Sequence, residues 1–322
     1  MVAPIIGFVG LGHAGFPMAA SLAKKGHHLL VRDQDTSRGL KFVEEHPKCR
    51  AAASDAGSFS ECEVVVTSLS SSDEVKHVLL GEHGIAPHLK PGSIVIDTSS
   101  CSAFDTRALG LELSRLHVDL VDSPITQEQL NAFDNGRTTL MVGSDKPEVL
   151  KKIMPILKHM SSHVFPMGCL GSGNTMQTLN SYVNASSMIA LCDSLVTGQK
   201  LGMDPQTMID VMNVGTGANF TTKYLMKNLK SNDPACRLEP LVNDVRNAKD
   251  LIEKAGFETE LPSLALRYLE DSLKRAPQGA NHSACLESWE KRAGVNIAKT
   301  EWKDHSTKLP HISQDEPVLR IL

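Results

Sequence analysis

Gly7-Phe8-Val9-Gly10-Leu11-Gly12-His13-Ala14-Gly15-Phe16-Pro17-Met18 is the stretch on which the rest of the chain hangs. It contains G-x-G-x-x-G. The apolar run Ile5 to Val9 before it predicts a buried parallel strand, and Ala19 to Lys25 after it predict a helix. Strand, glycine turn and helix in this order form the context in which the motif points to a dinucleotide. Gly10 permits the tight turn, Gly12 lets the backbone approach a pyrophosphate, and Gly15 lets helix and strand pack closely. Leu11, His13 and Ala14 complete the turn, and the N–H groups at the start of the helix face the phosphates.

A second strand, His28 to Arg32, ends at Asp33. An acidic side chain about 20 residues beyond the glycines accepts hydrogen bonds from the adenosine ribose. A carboxylate there also repels a 2′-phosphate, which favours NAD. Arg32 and Arg38 soften that preference and leave NADP open.

The β/α alternation continues. Helices are expected over Thr36–Glu45, Asp73–Leu80, 102–116 and Pro147–Met160. Strands are expected over Glu63–Ser68, Ser93–Asp97, Val118–Asp122, Thr138–Val142 and Val164–Phe165. The pattern predicts a parallel sheet covered on both faces, with ligands beyond the carboxyl ends of its strands. The glycine turn, Asp33, Leu69-Ser70, Ser99-Ser100 and Pro124-Ile125-Thr126 all fall at those ends. After Gly168 the character changes. Asn174 to Lys200 reads as one helix spanning about 40 Å, and the chain to about Arg292 is helical by pattern. Asp204-Pro205 reads as a cap and first turn. The expected organisation is a doubly wound (Rossmann) α/β domain over 1–167, an all-α domain with a long connecting helix over 168–292, and a tail or arm over 293–322.

Of 322 residues, 41% are hydrophobic and 22% charged, ordinary values for a globular chain. A net charge of −4 gives no reason to expect nucleic acid. No apolar stretch is long enough to span a membrane, and the first strand begins too near Met1 for a signal peptide. The seven cysteines lack C-x-x-C spacing and the thirteen histidines lack H-E-x-x-H, so no metal is expected. The cysteine pattern fits reduced thiols in the cytoplasm.

The order of motifs resembles the β-hydroxyacid dehydrogenase family up to about residue 290. Gly7 to Met18 matches the family's G-x-x-G-L-G-x-M-G-x-x-M, with Ala14 in place of Met. Asp97-Thr98-Ser99-Ser100 matches D-x-S-T. Gly171-Ser172-Gly173-Asn174 with Asn180 matches G-x-G-x-x-x-K-x-x-N, and Asn213 to Gly217 and Asp244 fall in register. The resemblance implies a nicotinamide cofactor, a small-molecule substrate and a homodimer or higher homo-oligomer. It assigns Gly10 to Gly15, Asp33, Leu69, Ser70, Ser100 and Asn243 to the cofactor, and Ser99, Thr126, Gln127 and Asn184 to the substrate.

The family's chemistry is altered at three places. Its general acid/base lysine falls on Gln177, and its second lysine falls on Asn243, before Asp244. The loop that binds the substrate carboxylate has Thr126-Gln127-Glu128 where the family has S-G-G. A positioned acid contributes about 10²–10⁴-fold to reduction of a carbonyl, and a glutamine cannot titrate. Gln177 and Asn180, three residues apart on one helix face, are expected to orient the substrate, with Asn184 continuing the face. Lys223, Tyr224, Lys227, His13 and Tyr182 are alternative proton donors; Lys223 ranks first because it follows the Gly215-Thr216-Gly217 loop. Two readings follow. One is an NAD(P)-dependent oxidoreductase of altered scope, acting on a carbonyl or imine carbon. The other is a catalytically silent NAD(P)-binding relative serving as scaffold or sensor.

Overall fold

The computed structural model describes residues 5–52, 56–127, 138–228 and 236–297. Two compact units divide the chain: Met1–Val183 with Leu241–Ser263, and Asn184–Pro240 with Leu264–Leu322.

The first unit is built on β1 (Ile5–Val9), β2 (His28–Arg32), β3 (Arg50–Ala51), β4 (Cys62–Thr67), β5 (Ile94–Asp97), β6 (Asp119–Asp122), β7 (Ile125–Gln127), β8 (Thr138–Gly143) and β9 (His163–Gly168). The strands run in the order β3-β2-β1-β4-β5-β6-β8, and β1 to β6 pair in parallel. This is the doubly wound order whose direction reverses between β1 and β4, where a ligand crevice forms. Successive side chains of a strand point to opposite faces, and the core divides accordingly. Leu29, Val31, Val64, Val66, Ile94 and Ile96 enter one apolar cluster. Leu30, Val65 and Val95 enter the other. The first face is covered by α1 (Gly15–Lys24), α2 (Thr36–Glu45) and α5 (Pro147–Met160), through Met18, Phe42, Ile153 and Leu157. The second is covered by α3 (Ser72–Leu80) and α4 (Ala103–Ser114), through Val75, Leu79, Leu109 and Leu113.

The sheet is not parallel throughout. β8 runs antiparallel to β6 and β7, and β9 is parallel to β8. Asp122 opposite Gly143 and Ile125 opposite Leu140 fall in one unbroken register. Thus β6 and β7 form a single path interrupted at Ser123-Pro124. Ten residues separate β7 from β8, too few for the helical crossover that a parallel neighbour requires. α5 supplies that crossover between β8 and β9.

The first unit also holds residues 172–183 of α6 (Ser172–Lys200) and 241–254 of α9 (Leu238–Lys254). The second unit is helical. It contains the rest of α6, α7 (Pro205–Val214), α8 (Phe220–Asn228), residues 264–275 of α10 (Leu261–Arg275) and α11 (Ser283–Ala293). Asp204 caps α7 by accepting from Thr207 N–H at 2.8 Å. Trp289 Nε1 donates to Asp193 Oδ1 at 2.6 Å. Gly294, at φ 68°, ends α11 in the left-handed conformation, and Ile297 is buried with its N–H on the Glu290 carboxylate. The start of the expected tail is therefore packed; residues 298–322 lie outside the described residues.

Candidate functional site

The glycine turn follows β1, with each glycine held for a different reason. A Cβ on Gly10 would lie 2.2 Å from Ser68 O, and its φ of +95° suits glycine alone. A Cβ on Gly15 would lie 2.0 Å from Gly10 O. Gly12 is different: a Cβ there meets nothing within 4 Å, and its φ lies outside the left-handed range. Nothing in the protein around Gly12 demands glycine. No side chain caps the start of α1, and its first turn holds no acidic residue. The positive end of the helix is thus left uncompensated.

Asp33 closes the turn. Its Oδ2 accepts from Leu11 N–H at 2.6 Å and its Oδ1 from Asp35 N–H at 2.9 Å. The Arg38 guanidinium lies 3.8 Å from Oδ1. Leu69 N–H donates to Ser99 Oγ at 2.9 Å, joining the loops after β4 and β5. Ser70 N–H donates to Glu74 at 2.9 Å, and its hydroxyl bonds the same carboxylate. Ser71 caps α3 from the other direction through Glu74 N–H. Ser70 and Ser100 are exposed, whereas Ser99 is buried. His13 is exposed and Ala14 half-buried. The turn, Asp33 and Leu69 thus lie together beside the switch between β1 and β4.

Two buried carboxylates end β5 and β6. Burial lifts Asp97 above its ordinary pKa, against hydrogen bonds from Ser99, Thr67 and Cys101. Asp122 lies directly across the ladder. It accepts from Gly171 N–H at 2.7 Å and Asn174 N–H at 2.8 Å, yet burial still raises it to about 6. Asn174, fully buried, accepts from Cys101 N–H at 3.1 Å and donates to Thr106 Oγ1 at 3.0 Å. These bonds fasten the start of α6 to the sheet and fix the helix that carries Gln177.

Gln177 is buried, at 7% exposure, although it stands in the second turn of a helix. Its Nε2 donates to Ser181 Oγ and to Asp244 Oδ2, each at 3.2 Å. Burial raises the Asp244 carboxyl, and hydrogen bonds from Ser181 and Gln177 oppose that shift. Asn180, exposed, donates to Thr126 Oγ1 at 3.3 Å. Thr126 and Gln127 belong to β7 rather than to a loop; Glu128 lies outside the described residues. Asn243 is exposed and accepts from Arg246 at 2.7 Å. A guanidinium therefore lies against Asn243, whereas Gln177 is a neutral amide bonded to Ser181 and Asp244. Sequence reasoning did not select Asp244, Ser181, Asp122 or Arg246 as site residues. The register of Asp244 with the family pattern was the available signal.

Asn184 and Lys223 belong to the second unit. Asn184 Oδ1 accepts from Thr221 Oγ1 at 3.0 Å. Lys223 is exposed on α8, and the Tyr224 ring lies 4.8 Å from that of Phe220. The side chain of Lys227 lies outside the described residues, and Tyr182 is half-buried on α6. Among the described residues, no group of three or more His, Cys, Asp or Glu side chains could hold a metal ion. No described helix is long and apolar enough to cross a membrane.

Residues 5–169 match the NAD binding domain of 6-phosphogluconate dehydrogenase. Residues 171–289 match the NAD-binding domain of NADP-dependent 3-hydroxyisobutyrate dehydrogenase. A 2-(hydroxymethyl)glutarate dehydrogenase of Eubacterium barkeri is 27% identical over 91% of this chain and 97% of its own. A probable mitochondrial 3-hydroxyisobutyrate dehydrogenase of Dictyostelium discoideum is 30% identical over 68% of this chain and 67% of its own. Among solved structures, a 3-hydroxyisobutyrate dehydrogenase of Mycobacterium tuberculosis with L-serine superposes with a TM-score of 0.76. It shares 22% identity and covers 89% of this chain and 99% of its own. With the glycine turn, Asp33 and the two-part architecture in place, the chain belongs to the β-hydroxyacid dehydrogenase family of NAD(P)-dependent oxidoreductases.

Proposed function

We propose that the protein transfers hydride to or from a carbonyl or imine carbon, with a substrate scope shifted away from small hydroxy acids. The observation that carries this reading is Gln177. Its neutral amide is hydrogen-bonded to Asp244, and the motif resemblance aligns it with the family's proton-transferring lysine. The nicotinamide cofactor supplies or accepts the hydride. Gly10, Leu11, Gly12, His13, Ala14, Gly15, Asp33, Leu69, Ser70, Ser100 and Asn243 form its candidate binding set, with NAD favoured by Asp33. Gln177 and Asn180 orient the substrate, and Thr126, held by Asn180, lines its place with Ser99; Gln127 and Asn184 are the further substrate candidates that the family pattern offers. Gln177 hydrogen-bonds but does not exchange a proton, so a carbonyl substrate needs another acid, for which Lys223 is the first candidate. None of the seven cysteines forms a disulfide, in keeping with a cytoplasmic protein, acting as a homodimer or higher homo-oligomer.

The neutral residues at both lysine positions also favour the second reading, a silent nucleotide-binding scaffold. A turnover screen separates the two. NADH and NADPH are offered with β-hydroxy acids, aldehydes and cyclic imines, to the wild type and to Gln177→Lys. Hydroxy-acid turnover confined to the lysine variant supports the altered scope. Ordinary hydroxy-acid rates in the wild type overturn it. Tight nucleotide binding without turnover of any substrate favours the scaffold.

A further inference from the structure

Gln177 leaves a hydrogen-bonding demand unmet. Its Oε1 is buried without a partner among the described residues, while Nε2 is committed to Ser181 and Asp244. Turning the amide over would set Oε1 against the Asp244 carboxylate, so an ionised Asp244 dictates that the acceptor end is the one left over. A buried acceptor without a donor is costly, and a ligand that brings a donor relieves that cost. Asn180, one turn further on along the helix, is exposed.

The charge around the amide says which donor fits. Asp244 forms no ion pair among the described residues, and its hydrogen-bonding partners Ser181 and Gln177 are neutral. By accepting from Nε2 it polarises the amide and strengthens Oε1 as an acceptor. The Arg246 cation is directed at Asn243. A carboxylate substrate meets Asp244 as a like charge. A neutral alcohol gains the hydrogen bond alone. A cationic nitrogen bearing N–H gains the bond and offsets the half-buried carboxylate.

We propose that Gln177 Oε1, backed by Asp244, selects a substrate with a protonated nitrogen at the reacting carbon: an iminium ion in reduction, a secondary amine in the reverse direction. This rests on the oxidoreductase reading above. The chemistry balances without an added acid. Hydride forms a C–H bond at the iminium carbon, the C=N π pair moves onto nitrogen, and the positive charge there is cancelled. The product is a neutral amine, the nicotinamide is left oxidised, and Gln177 is not asked to release a proton.

Binding to protein saturated with NAD tests this by titration calorimetry, with piperidinium and 3-hydroxybutyrate as probes. The wild type is expected to hold piperidinium on the order of tenfold more tightly than the hydroxy acid. Gln177→Lys is expected to reverse the order, and Asp244→Asn to weaken piperidinium by a similar factor. Unchanged NAD affinity in each variant shows that it has folded. A wild-type preference for hydroxybutyrate, an order unaltered by Gln177→Lys, or binding of neither probe overturns the proposal. NADH oxidation with carbonyl compounds but not with 1-piperideine overturns the proposal and leaves the oxidoreductase reading standing. Absence of oxidation with every substrate overturns both.

Discussion

The amide nitrogen of Leu11 lies 2.6 Å from Oδ2 of Asp33, so the glycine turn after β1 is tied to the end of β2. Both oxygens of Asp33 are engaged by backbone N–H groups, and its side chain is only 5% exposed. A carboxylate held this firmly cannot swing away from a 2′-phosphate. NADH is expected to bind more tightly than NADPH by on the order of tenfold, since like charges about 4 Å apart cost about 1–4 kcal/mol between aqueous and protein-surface dielectrics. Asp33→Asn narrows the gap and leaves Arg38 with Asp35 as its carboxylate partner. Fluorescence titration of both nucleotides checks this, and tighter NADPH in the wild type contradicts it.

The three glycines of the turn are expected to separate stability from binding. Gly10→Ala and Gly15→Ala drive a methyl group into backbone oxygens and should cost roughly 1–3 kcal/mol or more of stability. Gly12→Ala meets open space. It should leave the denaturation midpoint unchanged within about 0.5 kcal/mol while nucleotide affinity falls by at least about tenfold. Equal losses of stability in all three variants would contradict the assignment of Gly12 to the ligand.

Asp122 gives the fold a dependence on pH. Its carboxyl is raised from 3.8 to about 6 in the folded state. The protonated form is favoured by folding, so its contribution is fullest below the unfolded value and declines as pH rises through about 6. Asp122→Asn removes that titration. The stability difference between wild type and variant should therefore shrink by about 2–3 kcal/mol across this interval. Urea unfolding at stepped pH measures it, and a constant difference disproves it.

Asn174 joins three segments through Cys101 N–H, Thr106 Oγ1 and Asp122. Asn174→Ala leaves Cys101 N–H buried without its acceptor and should cost about 1–3 kcal/mol. A cycle with Thr106→Val isolates the Asn174–Thr106 bond, with an expected coupling of about 0.5–1.5 kcal/mol. Additive losses would show that the bond contributes nothing.

The alternating architecture was legible because each strand and helix carries its own period. Thr36–Glu45 and Pro147–Met160 emerge with the expected bounds. α1 starts at Gly15 rather than Ala19; Pro17 sits in its first turn, where a missing N–H costs nothing. The antiparallel turn of the sheet was legible in principle, since no helical pattern separates Asp122 from Thr138. The pairing of Gln177 with Asp244 spans 67 positions, and local pattern carries no information about it. Nor does it reveal that Arg246 faces Asn243, or that Gln177 is buried while Asn180 is exposed.

Because β6 and β7 share one register against β8, Thr126 takes its place from the sheet, not from the length of the connection that follows. Residues can be gained or lost between Gln127 and Thr138 without displacing it. A slip of one position within the ladder, by contrast, would turn Thr126 to the opposite face and part it from Asn180. Divergence in this chain is therefore free to lengthen the hairpin, and is constrained where the strand itself is read.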